Sequence, residues 1–181
     1  MKSLVTILLS AAIILGVSWS TASAQKSGFV GRSIEQNVFK QLIRLPYYGV
    51  FDHIAYKVNG DTVTLFGKVA EARNKKDAEY AVKKVAGVRY VNNQIRILPL
   101  SPFDDSIRRR TLRTVASKAG LFRYFQGANP SVRIIVDGGH MELEGYVANR
   151  FDYNLMNITA NGISGVFSVK NNLVVENERV R

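Results

Sequence analysis

Residues 59–97 recur 78 positions later as residues 137–175, without a gap, and nothing else in the chain restricts the fold as tightly. Nine positions coincide: Gly60/Gly138, Leu65/Leu143, Gly67/Gly145, Val69/Val147, Ala70/Ala148, Gly87/Gly165, Val88/Val166, Val91/Val169 and Asn93/Asn171. Glycines and core-type residues persist while charged positions drift. A repeated structural unit leaves that mark, whereas a repeated catalytic site would keep its polar groups.

Each copy carries the punctuation of the same small fold. In the first, 33–45 has apolar residues at helical spacing, Ser33 and Gln36 form a capping box, and Pro46 stops the helix. Residues 54–58 and 62–66 alternate as strands around an Asn59-Gly60 hairpin signal, and Gly67 allows a bend or close approach. A helix over 74–85, capped by Asn74, presents Ala78, Ala81, Val82 and Val85, and Gly87 suits its left-handed end. A third strand over 88–98 turns Val91, Ile95 and Ile97 inward. In the second copy Ser101, Pro102 and Asp104 open a helix to about residue 120, with Asp104 and Asp105 read as capping residues. Strands over 132–136 and 140–144, a helix over 152–163 and a strand over 166–175 follow. Asn161-Gly162 inside that helix should weaken it by about 1 kcal/mol. The expected class is α+β: two tandem α-β-β-α-β units, each with two helices packed on a three-stranded mixed sheet.

The start of the chain reads differently. Lys2, an apolar run of 14 residues from Leu4 to Val17, and Ala22-Ser23-Ala24 make a cleavable secretory signal, with a mature start at Gln25. The run is short for a membrane span, which needs about 20 apolar residues. An uncleaved anchor is the alternative. The expected layout is signal peptide 1–24, flexible lead 25–32, unit one 33–98, linker 99–103, unit two 104–176 and tail 177–181. The expected location is periplasmic, either soluble or at most peripheral to a membrane.

The chain has no cysteine, which rules out disulfides and thiol chemistry. Beyond residue 24 it carries 24 basic and 14 acidic residues, a formal 24 − 14 = +10. Outside the cytoplasm that charge points to anionic lipid or cell-wall polymer rather than nucleic acid. Gly162-Ile163-Ser164-Gly165 has the G-x-x-G spacing of an RNA-binding loop, but its register-mate ends a helix. His53 and His140 have no second histidine at ligand spacing and read as surface residues, so neither metal nor cofactor is expected.

The twice-occurring pattern, a hairpin ending in L-x-G-x-V, an alanine-bearing helix and then G-V-x-x-V-x-N, resembles the BON (bacterial OsmY and nodulation) domain. The motif residues are Leu65, Gly67, Val69, Gly87, Val88, Val91 and Asn93, then Leu143, Gly145, Val147, Gly165, Val166, Val169 and Asn171. With the export signal, the chain resembles dual-BON periplasmic proteins. The resemblance implies a non-enzymatic protein that binds phospholipid membrane and keeps the envelope intact under osmotic stress. Gly60, Gly67, Gly87, Gly138, Gly145 and Gly165 are then structural.

One stretch has surface-binding character. On the helix after the linker, Leu112, Val115, Ala116 and Ala119 form the core stripe, and Arg109, Arg110 and Arg113 share an arc of about 100° beside it. Phe122, Arg123, Tyr124 and Phe125 add aromatics and a further cation. These seven are the candidate lipid contacts, because basic residues gain about 1 kcal/mol each near anionic head groups and aromatics favour the interface. The rival reading is a protein-interaction or chaperone-like module that grips an envelope protein through a strand edge or aromatic loops. What is specific to this chain is expected where the copies differ, in 108–131.

Overall fold

The computed structural model describes residues 33–118 and 120–176. The expected signal, lead and tail lie outside them, as does Ala119. Unit one is a helix α1 over 33–42, β1 (His53–Asn59), β2 (Thr62–Val69), α2 (Ala72–Lys83) and two short strands, β3 (Tyr90–Asn93) and β4 (Arg96–Ile97). Unit two is α3 (Pro102–Ala116), a 3-10 turn (Leu121–Phe125), β5 (Val132–Asp137), β6 (His140–Val147), α4 (Arg150–Asn161) and β7 (Ser168–Val175).

The fold class is as the repeat implies. In each unit a hairpin pairs antiparallel, and the chain then crosses over a helix to lay a last strand parallel to the hairpin's second strand. The orders are β1-β2-β3 and β5-β6-β7, with β4 continuing β3 along β2. One sheet face is covered by the unit's two helices. Val63, Leu65 and Val69 of β2 meet Val38, Leu42, Ala78 and Val82 there, and Met141, Leu143 and Val147 of β6 meet Ile107, Val115 and Met156. Each such side chain, fully buried, contributes about 1.5–3 kcal/mol.

The glycine inside L-x-G-x-V is a close-approach residue. Gly67 lies opposite Ile54 in β2 with φ 119°, and a Cβ there would sit 2.2 Å from the His53 carbonyl oxygen. Gly145 repeats this with φ 118° and 2.0 Å to the Ser131 oxygen. No other residue permits both the torsion and the distance. The motif asparagine has an equally local reason. Asn93 Oδ1 accepts from Ile95 N–H while its Nδ2 donates to the Lys75 carbonyl and Glu79, tying the last strand to α2. Asn171 repeats the turn with Leu173 N–H and reaches Asn157 on α4.

Several local expectations are corrected. Ser33 is already helical, and α1 ends at residue 42 rather than 45. Asn74 does not cap α2. The helix starts at Ala72, and Asn74 is buried in its first turn, donating to the Tyr47 carbonyl and Asp52. Gly87 lies three residues past the C-cap Lys84 rather than ending the helix, and both β1 and β2 run longer than expected. The third strand breaks at Gln94-Ile95, so Ile97 is exposed and Leu98 is buried instead. Asn149 caps α4 by accepting from Asp152 N–H, and α4 stops at Asn161 with Gly162 as its C-cap. The stability cost expected from Asn161-Gly162 within a helix therefore does not arise.

Candidate functional site

Helix α3 is placed by its first turn. Ser101 Oγ accepts from Asp104 N–H and Pro102 fits the first helical position. Asp104 itself is buried and does not cap α3. Its two oxygens accept from Gly138 N–H (2.9 Å) and Gly139 N–H (2.8 Å), clamping the β5–β6 hairpin to the helix. The core stripe is Ile107, Thr111 and Val115, with Leu112 only partly packed. Arg108, one residue from the expected arc, is buried, pairs with Asp105 and donates to the Val136 carbonyl.

Arg109, Arg110 and Arg113 are exposed, and none forms an ion pair among the described residues. Arg110 donates to the Ser164 carbonyl in the turn before β7. The same turn holds Phe167, 71% exposed, whose ring lies 6.1 Å from that of Phe103 at the start of α3. His140 flanks the pair at 6.0 Å and shares a 2.7 Å contact with Ser168 Oγ. Arg110 thus reaches the turn that carries Phe167, while Arg113 lies in the last turn of α3, about 15 Å along the helix from Phe103. Phe103 and Phe167 are absent from the expected site. The signal was available in the repeat alignment, where Phe167 faces Arg89.

The 3-10 turn contributes less than expected. Phe122 is 56% exposed, but Phe125 packs against the core and Tyr124 is buried. Tyr124 hydroxyl donates to Asp152 and accepts from Ala148 N–H, and Arg123 pairs with the same carboxylate. Asp152 also accepts from Asn149 Nδ2. Arg123 and Tyr124 therefore pin the turn to the start of α4, where the helix dipole favours the carboxylate. Unit one satisfies the matching Ala70 N–H with Asp52, which accepts from Gly49 N–H and Asn74 Nδ2 as well.

The outward sheet faces hold a second region where the copies diverge. Unit one turns Lys68, Arg96 and His53 towards Asp137, Glu142 and Glu144 of unit two. Lys68 Nζ lies 3.4 Å from Asp137 and 3.3 Å from Glu142, Arg96 3.2 Å from Asp137, and His53 Nε2 3.9 Å from Glu144. The register-mates of Lys68, Glu142 and Glu144 are Tyr146, Thr64 and Phe66, so the complementarity works in one orientation only. Ile134 N–H donates to the Val50 carbonyl across the seam, and Val50 and Phe51 pack into the core of unit two. His53 is thus a seam residue rather than a surface one. Its burial pushes the imidazole pKa down from 6.5, with Arg133 adding to the effect and Glu144 and Glu142 opposing it.

Among the described residues no helix is long and apolar enough to cross a membrane, and no cluster of three or more His, Cys, Asp or Glu side chains could hold a metal ion.

Two segments, 32–99 and 104–177, match the model of the family described as BON domain. No curated protein matches the sequence. Among solved structures the chain is similar to the C-terminal domain of CdsD, a structural protein of the type III secretion system of Chlamydia trachomatis. Identity is 12%, the TM-score is 0.33, and the match covers 82% of this chain and 65% of that one. A second CdsD structure matches at 13% identity and a TM-score of 0.27, covering 81% and 95%.

Proposed function

Since the chain belongs to the BON domain family, matched twice over, we propose that it is a non-enzymatic, exported periplasmic protein that binds anionic phospholipid membrane. In that role it supports envelope integrity under osmotic or envelope stress. The observation carrying this reading is the exposed arc of Arg109, Arg110 and Arg113, free of ion pairs among the described residues, with Arg110 reaching the turn that holds exposed Phe167, itself packed near Phe103. Cations attract the head groups, and the rings favour the interfacial layer behind them. At about 1 kcal/mol per cation, three arginines and shallow aromatic insertion support weak, reversible attachment rather than anchoring.

Co-sedimentation with vesicles tests it. The protein should pellet with anionic but not zwitterionic vesicles, and salt should weaken the effect, since exposed charges are screened over about 10 Å at 0.1 M. Replacing Arg109, Arg110 and Arg113 by glutamate should abolish pelleting; unchanged binding would sink the site.

A protein-interaction role is the second reading. Phe151 and Ile158, exposed by 71% and 70% and two turns apart on one face of α4, give it a specific surface. It gains if lipid affinity is absent while cross-linking through α4 recovers one envelope protein reproducibly.

A further inference from the structure

The seam leaves an open groove of about 490 Å³ between α1 and the β5–β6 hairpin. Small-molecule sites span about 300–1,000 Å³. Phe39 of α1, Ile43 just past its end, Tyr56 of β1, and Pro130 and Tyr146 of unit two form its apolar walls. Tyr48, His53 and Arg133 line it as well.

Arg133 is the unusual member. It is only 7% exposed, yet no carboxylate lies within ion-pair distance of it among the described residues. Its guanidinium donates to the Gly49 carbonyl (2.7 Å) and stacks 4.3 Å over the Tyr48 ring. The nearest acids are committed elsewhere: Asp52 to Gly49, Ala70 and Asn74, and Glu144 to Asn172 and the His53 contact. Tyr48 hydroxyl accepts from Ile54 N–H, and its own proton has no acceptor among the described residues. A buried cation without a carboxylate in direct contact is costly. Burial lowers the Arg133 pKa, opposed by Tyr48 and by Asp52 acting at longer range, and its cross-strand partner Glu144 makes no ion pair with it. The repeat offers no structural reason for the residue, because its register-mate is Ala55.

We propose that the groove binds a single-chain amphiphile with an anionic head, of the fatty-carboxylate class. The carboxylate meets the Arg133 guanidinium and the Tyr48 hydroxyl, and the chain lies between α1 and Tyr146. The head group supplies the contacting carboxylate that Arg133 lacks, and the tail covers the apolar walls. This site is separate from the membrane-facing arc and does not depend on it.

Titration calorimetry with dodecanoate, below its micellar range, tests the proposal against dodecanol (the chain without the charge) and acetate (the charge without the chain). Dodecanoate should bind saturably at one site per protein, dodecanol at least about tenfold more weakly, and acetate not measurably. Arg133→Gln should bring dodecanoate down to the dodecanol level. Because that change also touches the seam, Phe39→Asp on the exposed wall serves as the second variant. It should lose at least about tenfold in affinity with an unaltered unfolding midpoint. Equal binding of dodecanoate and dodecanol, no saturable site, or wild-type affinity in Phe39→Asp would each overturn the assignment. The triple Arg109, Arg110 and Arg113 to glutamate variant should keep dodecanoate binding while losing vesicles; loss of both would place the ligand on α3 instead.

Discussion

Replacing Tyr124 by phenylalanine separates what holds unit two together from what touches a membrane. The ring stays and only the hydroxyl goes, so no cavity forms. Three contacts vanish: the donation to the buried Asp152 carboxylate and the acceptances from Ala148 N–H (3.0 Å) and from the exposed Arg123 guanidinium (3.0 Å). A hydrogen bond to a charged group contributes about 1.5–3 kcal/mol and a neutral one about 1 kcal/mol. Asp152 keeps Arg123 and Asn149 as donors, which places the first figure at its lower end. The expected loss is about 2–3 kcal/mol. With a urea dependence of about 2 kcal/mol per molar for a domain of this size, the unfolding midpoint should fall by about 1 M. Vesicle binding by the folded variant should match the parent. A midpoint shift equivalent to less than about 0.5 kcal/mol would refute the hub. Unchanged stability with lost vesicle binding would return Tyr124 to the lipid face.

Gly145→Ala should cost more than about 3 kcal/mol, because the new Cβ meets the Ser131 backbone, whereas Gly138→Ala, with open space around it and φ 61°, should cost about 1 kcal/mol; similar denaturation midpoints for the two would dismiss the close-approach account. The depressed His53 pKa means the unfolded chain binds more protons than the folded one between the folded-state value and 6.5. Stability should therefore be full above about pH 6.5 and fall as pH drops through that window. Urea titrations of the parent and His53→Gln at about pH 7 and about pH 5.5 read this directly. Parallel losses in both proteins would show that His53 contributes nothing.

The unit fold was legible because its constraints are local. Gly67 and Gly145 meet a neighbouring backbone, Asn93 and Asn171 close a turn two residues long, and Ser101 caps the helix it precedes. Such requirements survive in sequence as identities at fixed spacing. The exposed arc of Arg109, Arg110 and Arg113 was legible for the same reason, since helical periodicity alone sets which residues share a face. Arg108, Tyr124 and Phe125 were not, because an amphipathic residue is buried or exposed according to what lies across from it. Arg108 turns in since the Val136 carbonyl and Asp105 await it, and Tyr124 since Asp152 and Ala148 do.

By itself, then, the sequence determined two copies of an α+β unit and a cationic stripe on the first helix of the second copy. Only the tertiary structure decided that Phe103 meets Phe167 near Arg110, that Asp104 clamps a hairpin, and that Lys68 and Arg96 face an acidic sheet. It also decided that Arg133 is buried at the seam with no carboxylate in ion-pair contact among the described residues. The physical reason is one of range. Torsions, caps and hydrogen-bonded turns act over a few residues and are written in their spacing. Charge pairing and burial act through space between residues far apart in the chain, and their outcome exists only once the two units are packed together.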